Sequence, residues 1–151
     1  MSARQSIRTL NRLVQTCRDG EAACAAWSAA VASPDLEEGL WHRSQEWGRQ
    51  GDELQALVLL LGGRPARTAT PAGRALRGWI LLKRVFLGRS DLSVVLGWEQ
   101  AQRNALRRYQ HALEGTQPAQ VHRTLLLQAA RLSDHHHHLE DLVGRFAAHS
   151  Y

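Results

Sequence analysis

Across residues 10–31 the inward positions recur in steps of four and three: Leu10, Val14, Cys17, Glu21, Cys24, Ser28 and Val31. This spacing turns one face of an α-helix toward a partner along its whole length, whereas a half-buried strand alternates at every second residue. The stripe contains one misfit. A carboxylate at Glu21, in the middle of an apolar seam, costs free energy unless something pairs with it. Whatever answers Glu21 is therefore the first place to look for chemistry.

The same pattern returns three more times. Leu40, Trp47, Leu54, Val58 and Leu61 mark a second helix, expected over residues 34–61. Ser33 caps it and Pro34 opens it, while Gly62-Gly63 and Pro65 end it. Leu92, Val95, Glu99, Gln102, Leu106, Tyr109 and Leu113 stripe a third over 91–114, with Ser90 or Asp91 as its cap. Val121, Leu125, Gln128, Leu132, His135 or His136, Leu139, Val143 and Phe146 stripe a fourth over 118–147. The first is expected over 6–32, with residues 1–5 frayed. Between the second and third, residues 71–87 read as a short basic amphipathic helix carrying Leu76, Trp79, Ile80, Leu82 and Phe86.

No stretch alternates with strand period, so the expected class is all-α. Short links make antiparallel neighbours, and the one long link is able to run the length of a bundle. The architecture this predicts is a single-domain four-helix bundle over residues 1–151, up-down-down-up, with a fifth short helix in the crossover.

A chain of 151 residues with 44% hydrophobic content buries a sizeable core. No apolar run approaches the length of a membrane span, and the amino terminus lacks a signal-peptide core. The net charge of +5 raises anionic partners, yet arginine supplies it almost alone, with Lys83 the single lysine. A solvated basic surface is the simpler reading, and no specific nucleic acid is expected. Cys17 and Cys24 lie seven residues apart on one helix, roughly 10 Å along its axis, too far to bond to each other. Reduced, buried thiols in a cytoplasmic protein follow.

Bundle metal sites are built from inward Glu and His. Counted from the helix midpoints, Glu21, Glu99 and His136 fall at similar heights, a set able to hold a divalent iron, manganese or zinc ion. His42 and Glu46 are the extra ligands within reach, and Gln102 and Gln128 complete the polar seam. A metal-free hydrogen-bonded network satisfies the same residues equally well. The run His135-His136-His137-His138 does not form one site, because successive helical residues point about 100° apart; His136 is the one expected inward. Of the five tryptophans, Trp27, Trp41, Trp47 and Trp98 are expected in the core. In the crossover, Arg77, Trp79, Lys83 and Arg84 make a surface that suits either a helix packed on the bundle or one lying on an anionic membrane, the first being preferred.

The segments LNRLVQTCRDGEAACAAW, RSQEWGRQGDELQALVLLLGGRPA, RGWILLK and ALRRYQHAL resemble a family of small bacterial ferritin-like four-helix-bundle proteins. The Asp19-Gly20-Glu21 turn of helix, Glu53-Leu54 ahead of Gly62-Gly63 and Pro65, and Gly78-Trp79 are its most specific pieces. The resemblance implies a ferritin-like bundle with no established reaction and, in some members, bound metal. Glu21 and His136 match ligand positions of the family. Elsewhere the chain departs: Gln102 stands where a second Gly-Glu pair would be, Cys17 replaces an early carboxylate, and Trp47 and Gln50 replace a Glu-x-x-His. Half a ligand set implies no ferroxidase and no iron store.

Three functional expectations follow. The leading one is a non-catalytic bundle, without cofactor, acting as a structural, interacting or stress-accessory protein, with homodimerisation in view. The second is a metal protein using Glu21, Glu99 and His136. The third is a basic module that binds a membrane surface or nucleic acid through the crossover.

Overall fold

The computed structural model describes residues 2–66 and 91–149. Four long helices account for most of them: α1 (Ala3–Ala30), α2 (Pro34–Leu60), α3 (Asp91–Glu114) and α4 (Ala119–His149). Among the described residues there is no strand. The crossover helix expected at 71–87, with Arg77, Trp79, Lys83 and Arg84, lies outside the described residues.

Local chemistry sets the helix ends. The terminus expected to fray is ordered from Ser2 onward, because Ser2 and Gln5 form a capping box that satisfies donors of the first turn. Ser33 caps α2 by accepting from the Leu36 amide, and Pro34 follows where its missing N–H costs nothing. At the far end Gly62 takes φ +82°, a left-handed conformation suited to glycine. The Gly63 amide then donates to the Val58 carbonyl at 2.9 Å and closes the helix.

Tertiary hydrogen bonds give the helix directions. Ser28 Oγ donates to the Glu37 carbonyl and Ser44 Oγ to the Glu21 carbonyl, each at 2.8 Å, so α1 and α2 are antiparallel. Asp91 accepts from the Ala32 and Ser33 amides, while Arg108 near the other end of α3 reaches Thr16, so α1 and α3 are antiparallel too. Gln102 on α3 donates to the Leu132 carbonyl of α4. Gln128 on α4 donates to the Gln50 carbonyl of α2. α2 and α3 consequently run the same way, and α2 ends at the opposite end of the bundle from where α3 begins.

The core lies along the stripes read from the sequence. Leu10, Val14, Leu40, Leu54, Val58, Val95, Tyr109, Leu125 and Leu132 are fully buried. Packing is closest between α1 and α2 and between α3 and α4, with a sparser contact between α1 and α3. Gly20 explains the first intimacy: a Cβ there would sit 2.7 Å from the Trp47 ring, so only glycine lets the indole lie against α1. Trp27 and Trp47 are core residues as expected, but Trp41 is 53% exposed, because its position falls off the α2 stripe. No described helix is long and apolar enough to cross a membrane.

Candidate functional site

Glu21 is not the buried carboxylate the seam pattern suggests. Its side chain is 41% exposed and pairs with Arg18, one turn back, at 3.3 Å. The carboxylate lies over Gly48 of α2, where a Cβ would stand 2.5 Å from Oε2. Arg18 also donates to Asp52 at 2.7 Å, to Gln55 and to the Gly48 carbonyl. The residue sits at the edge of the α1–α2 seam, where solvent and an arginine answer its charge. The opposing Gln102 is buried and donates to Leu132 on α4 instead.

The true polar centre of the bundle lies one turn away, at Cys17. Cys17 Sγ and the Tyr109 hydroxyl approach to 3.4 Å, and that hydroxyl donates to Gln128 Oε1 at 2.6 Å. Gln128 Nε2 donates in turn to the Gln50 carbonyl and to Glu53 Oε2, at 3.3 and 3.1 Å. A phenol has one proton, and here it goes to Gln128, so the thiol is the donor in the Cys17–Tyr109 contact. Every donor in the chain has its acceptor, and the four helices contribute one or more members each. Burial pushes the Cys17 thiol up to about 12, with the Tyr109 contact offsetting part of the shift. Burial and the neighbouring Cys17 likewise hold the Tyr109 phenol well above its usual 10.0. Both groups are neutral at physiological pH and poor nucleophiles.

Two turns from Gln50, α2 buries a cation. Arg43 is 3% exposed, stacks over the Trp47 ring at 4.7 Å, and donates to Glu46 at 2.8 Å. Glu46 also receives His135 from α4 at 2.9 Å. Burial first, and then the Arg43 charge, lower the proton affinity of His135 below its usual value, so a neutral imidazole donates to Glu46. Arg43 Nε and Nη2 have no partner among the described residues, and the indole face is their compensation. Cys24, fully buried nearby, is also pushed up to about 12 by desolvation, against a smaller lowering from Arg43.

His136 is the inward histidine, 9% exposed, with His137 and His138 on the solvent side. Its Nε2 lies 2.9 Å from Glu140 and 4.0 Å from Glu99, whose stronger partner is Arg103. Of the expected ligands the structure thus brings Glu99 and His136 together across α3 and α4, while the partners of Glu21 lie on α1 and α2. His42 is exposed and pairs with Glu38. Among the described residues no group of three His, Cys, Asp or Glu is placed to hold one ion.

The sequence reading gave Arg43, Gln50 and Glu53 no part in the polar seam, and looked instead to His42 and Glu46 on α2. The signal was present. Leu36, Leu40, Arg43, Trp47, Gln50 and Leu54 continue the four-three stepping, so Arg43 and Gln50 occupy stripe positions and are buried accordingly.

This is an all-helical bundle protein whose interior polar groups are tied to one another across the helices. The family model described as Domain of unknown function (DUF2383) matches residues 5–115, and the chain belongs to that family. The match takes in α1, α2 and α3 and ends before α4, so Gln128, His135 and His136 lie outside it. No curated protein matches the chain.

Proposed function

We propose that the chain is a ferritin-like bundle without catalytic activity, acting in the cytoplasm as a structural or stress-accessory protein that self-associates as a dimer. The helix directions and the sequence resemblance support the ferritin-like reading. One observation carries the rest: the interior thiol, phenol and amide are engaged in the Cys17–Tyr109–Gln128 chain, which ends on the exposed carboxylate of Glu53. Groups so engaged hold helices together and leave no free nucleophile or base among them. Two buried, unpaired thiols fit a reducing compartment. Leu59, Leu60, Leu126 and Leu127, each about half exposed or more, are apolar area suited to a second copy.

A divalent-metal reading survives at Glu99 and His136, favoured by their 4.0 Å approach and by the Nδ1 of His136, which is buried and has no partner among the described residues. Light scattering on the size-excluded protein, with metal analysis after purification free of metal affinity resins, separates the two. The expected result is a dimer mass with far less than one equivalent of iron, manganese or zinc. A full equivalent that survives chelation and is lost in Glu99→Gln or His136→Gln overturns the metal-free reading, and a monomer overturns self-association.

A further inference from the structure

The net charge of +5 is modest, but the fold separates its signs. Residues 2–18 of the α1 region, 100–113 of α3 and 119–133 of α4 include no acid, and the helix directions bring these stretches toward the same end of the bundle. The opposite end carries Asp35, Glu37, Glu38, Asp91, Glu140 and Asp141. A merely solvated helix surface mixes the two signs, because opposite charges four residues apart attract and like charges repel.

At the basic end Arg4, Arg8 and Arg12 follow one another in steps of four on α1, all exposed. Successive members stand about 6 Å apart along the axis, and each repels the next. The row also begins at the amino-terminal end of the helix, where the macrodipole is positive and favours acids, yet the first turn has none. Among the described residues none of the three has a carboxylate partner.

Across the α1–α3 groove a second row answers the first. Arg107 and Arg108 of α3 are exposed and, with Arg12, line a cavity of about 740 Å³ between the two helices. Arg107 donates to Asn104 at 2.6 Å and Arg108 to Thr16 at 3.1 Å. These neutral partners fix the guanidinium groups without cancelling their charge. The one acid on the rim, Glu114, lies 3.4 Å from His111.

Repulsion of this kind is relieved by a partner whose negative charges repeat at a similar step. The phosphates of a nucleic-acid strand do so, and the planar guanidinium fork matches their oxygens where a lysine would offer only a point charge. A lipid surface is flat and does not enter a concave space, and Gln5 and Thr9, beside Arg8 and Arg12, give it no apolar anchor. The space between two neighbouring helices is narrower than a duplex, so one strand fits it.

We propose that the arginine rows of α1 and α3 bind single-stranded nucleic acid by its phosphate backbone. The surface is built from these two helices rather than from residues 71–87, and it does not rest on the non-catalytic reading of the interior.

Fluorescence anisotropy of the full chain with a labelled oligothymidine of about 20 nucleotides tests the proposal. Affinity is expected to fall about 50- to 100-fold between about 50 and 200 mM salt, as contact with four or five phosphates requires. Arg8→Gln/Arg12→Gln is expected to bind about tenfold or more weakly at the lower salt and to reduce the log–log salt slope by about 1.4. Its stability should not fall, because the change relieves repulsion at exposed positions. Arg123→Gln/Arg131→Gln removes the same charge from exposed positions on α4 and should keep its affinity within about threefold. No binding at the lower salt, an unchanged slope in Arg8→Gln/Arg12→Gln, or an equal loss in the α4 variant overturns the proposal. So does tighter binding of the matching duplex, or of phosphatidylserine-containing vesicles, than of the single strand.

Discussion

A methyl group added at Gly20 would meet the Trp47 ring at 2.7 Å, and neither partner is free to retreat, since Trp47 is 3% exposed in the core. Gly20→Ala gains helix propensity of about 0.5–1 kcal/mol and incurs overpacking of about 1–3 kcal/mol, so the net effect is destabilising. Gly39 is the control, exposed on α2 with nothing within 4 Å of its would-be Cβ, and Gly39→Ala should stabilise by about 0.5–1 kcal/mol. Denaturant midpoints of the two variants are expected to move in opposite directions; equal shifts would show that Trp47 yields. The two acidic residues of the seams differ in the same way. Glu21 is half in solvent beside Arg18, so Glu21→Ala should cost no more than about 1 kcal/mol. Among the described residues Glu46 is the one hydrogen-bond partner of the buried Arg43, and Glu46→Ala should cost about 3–5 kcal/mol because it strands that cation. Urea unfolding that ranked Glu21 above Glu46 would reverse this assignment.

At the scale of elements, one side chain ties three of them together. Asp91 accepts from the Ala32 and Ser33 amides at 2.9 Å each, and so fastens the α1–α2 turn to the first residue of α3. Asp91→Ala should cost about 1–3 kcal/mol and speed amide hydrogen exchange at Ala32 and Ser33 in the turn ahead of the amides within α1. Unchanged exchange there would mean the turn is held by other contacts. Such elements were legible in the sequence almost to the residue. Stepping of four and three is a direct image of a helix face, and Ser33-Pro34 and Gly62-Gly63 are chemical stops. Ser2–Gln5 was equally visible as a capping pair and went unread because it lies so near the terminus. The site was less legible, for a physical reason. Periodicity says which face a residue occupies but not how far the neighbouring helix stands from it. Gly48 admits Glu21 to the rim of the seam, and the long reach of Arg18 then meets it there. Arg43 was overlooked from the other direction, since a charged side chain at a stripe position reads as an interruption until the Trp47 face is seen beneath it.

Across the whole molecule, the bundle's two closely packed helix pairs, α1 with α2 and α3 with α4, are joined by hydrogen bonds among neutral side chains, apart from the buried Arg43 cation. The links are the Cys17–Tyr109 and Gln128–Gln50 hydrogen bonds, with Asp91 at one end and Arg108–Thr16 on the groove. That neutrality carries a pH signature. Cys17 and Cys24 are raised from the ordinary 9.0 of a thiol to about 12, and Tyr109 is raised well above 10.0, in each case chiefly by burial. A proton held more tightly in the folded state means that the unfolded chain releases it first. The associated stability is complete below the unfolded value and declines as pH rises from about 9 toward 12. Each thiol adds up to about 1.4 kcal/mol per pH unit across that window. Denaturant unfolding from pH 7 to 11 is expected to be level up to about pH 8.5 and then to fall with a slope exceeding one proton. Cys24→Ala removes one of these groups without touching the Tyr109–Gln128 chain, and its alkaline limb should be shallower by close to one proton. In the folded protein at pH 8 both thiols should resist iodoacetamide and react only with denaturant. A wild-type curve that stays flat to pH 11, or rapid labelling of Cys17 in the folded state, would place the thiols in contact with water and unmake the closed interior on which the joining of the two helix pairs depends.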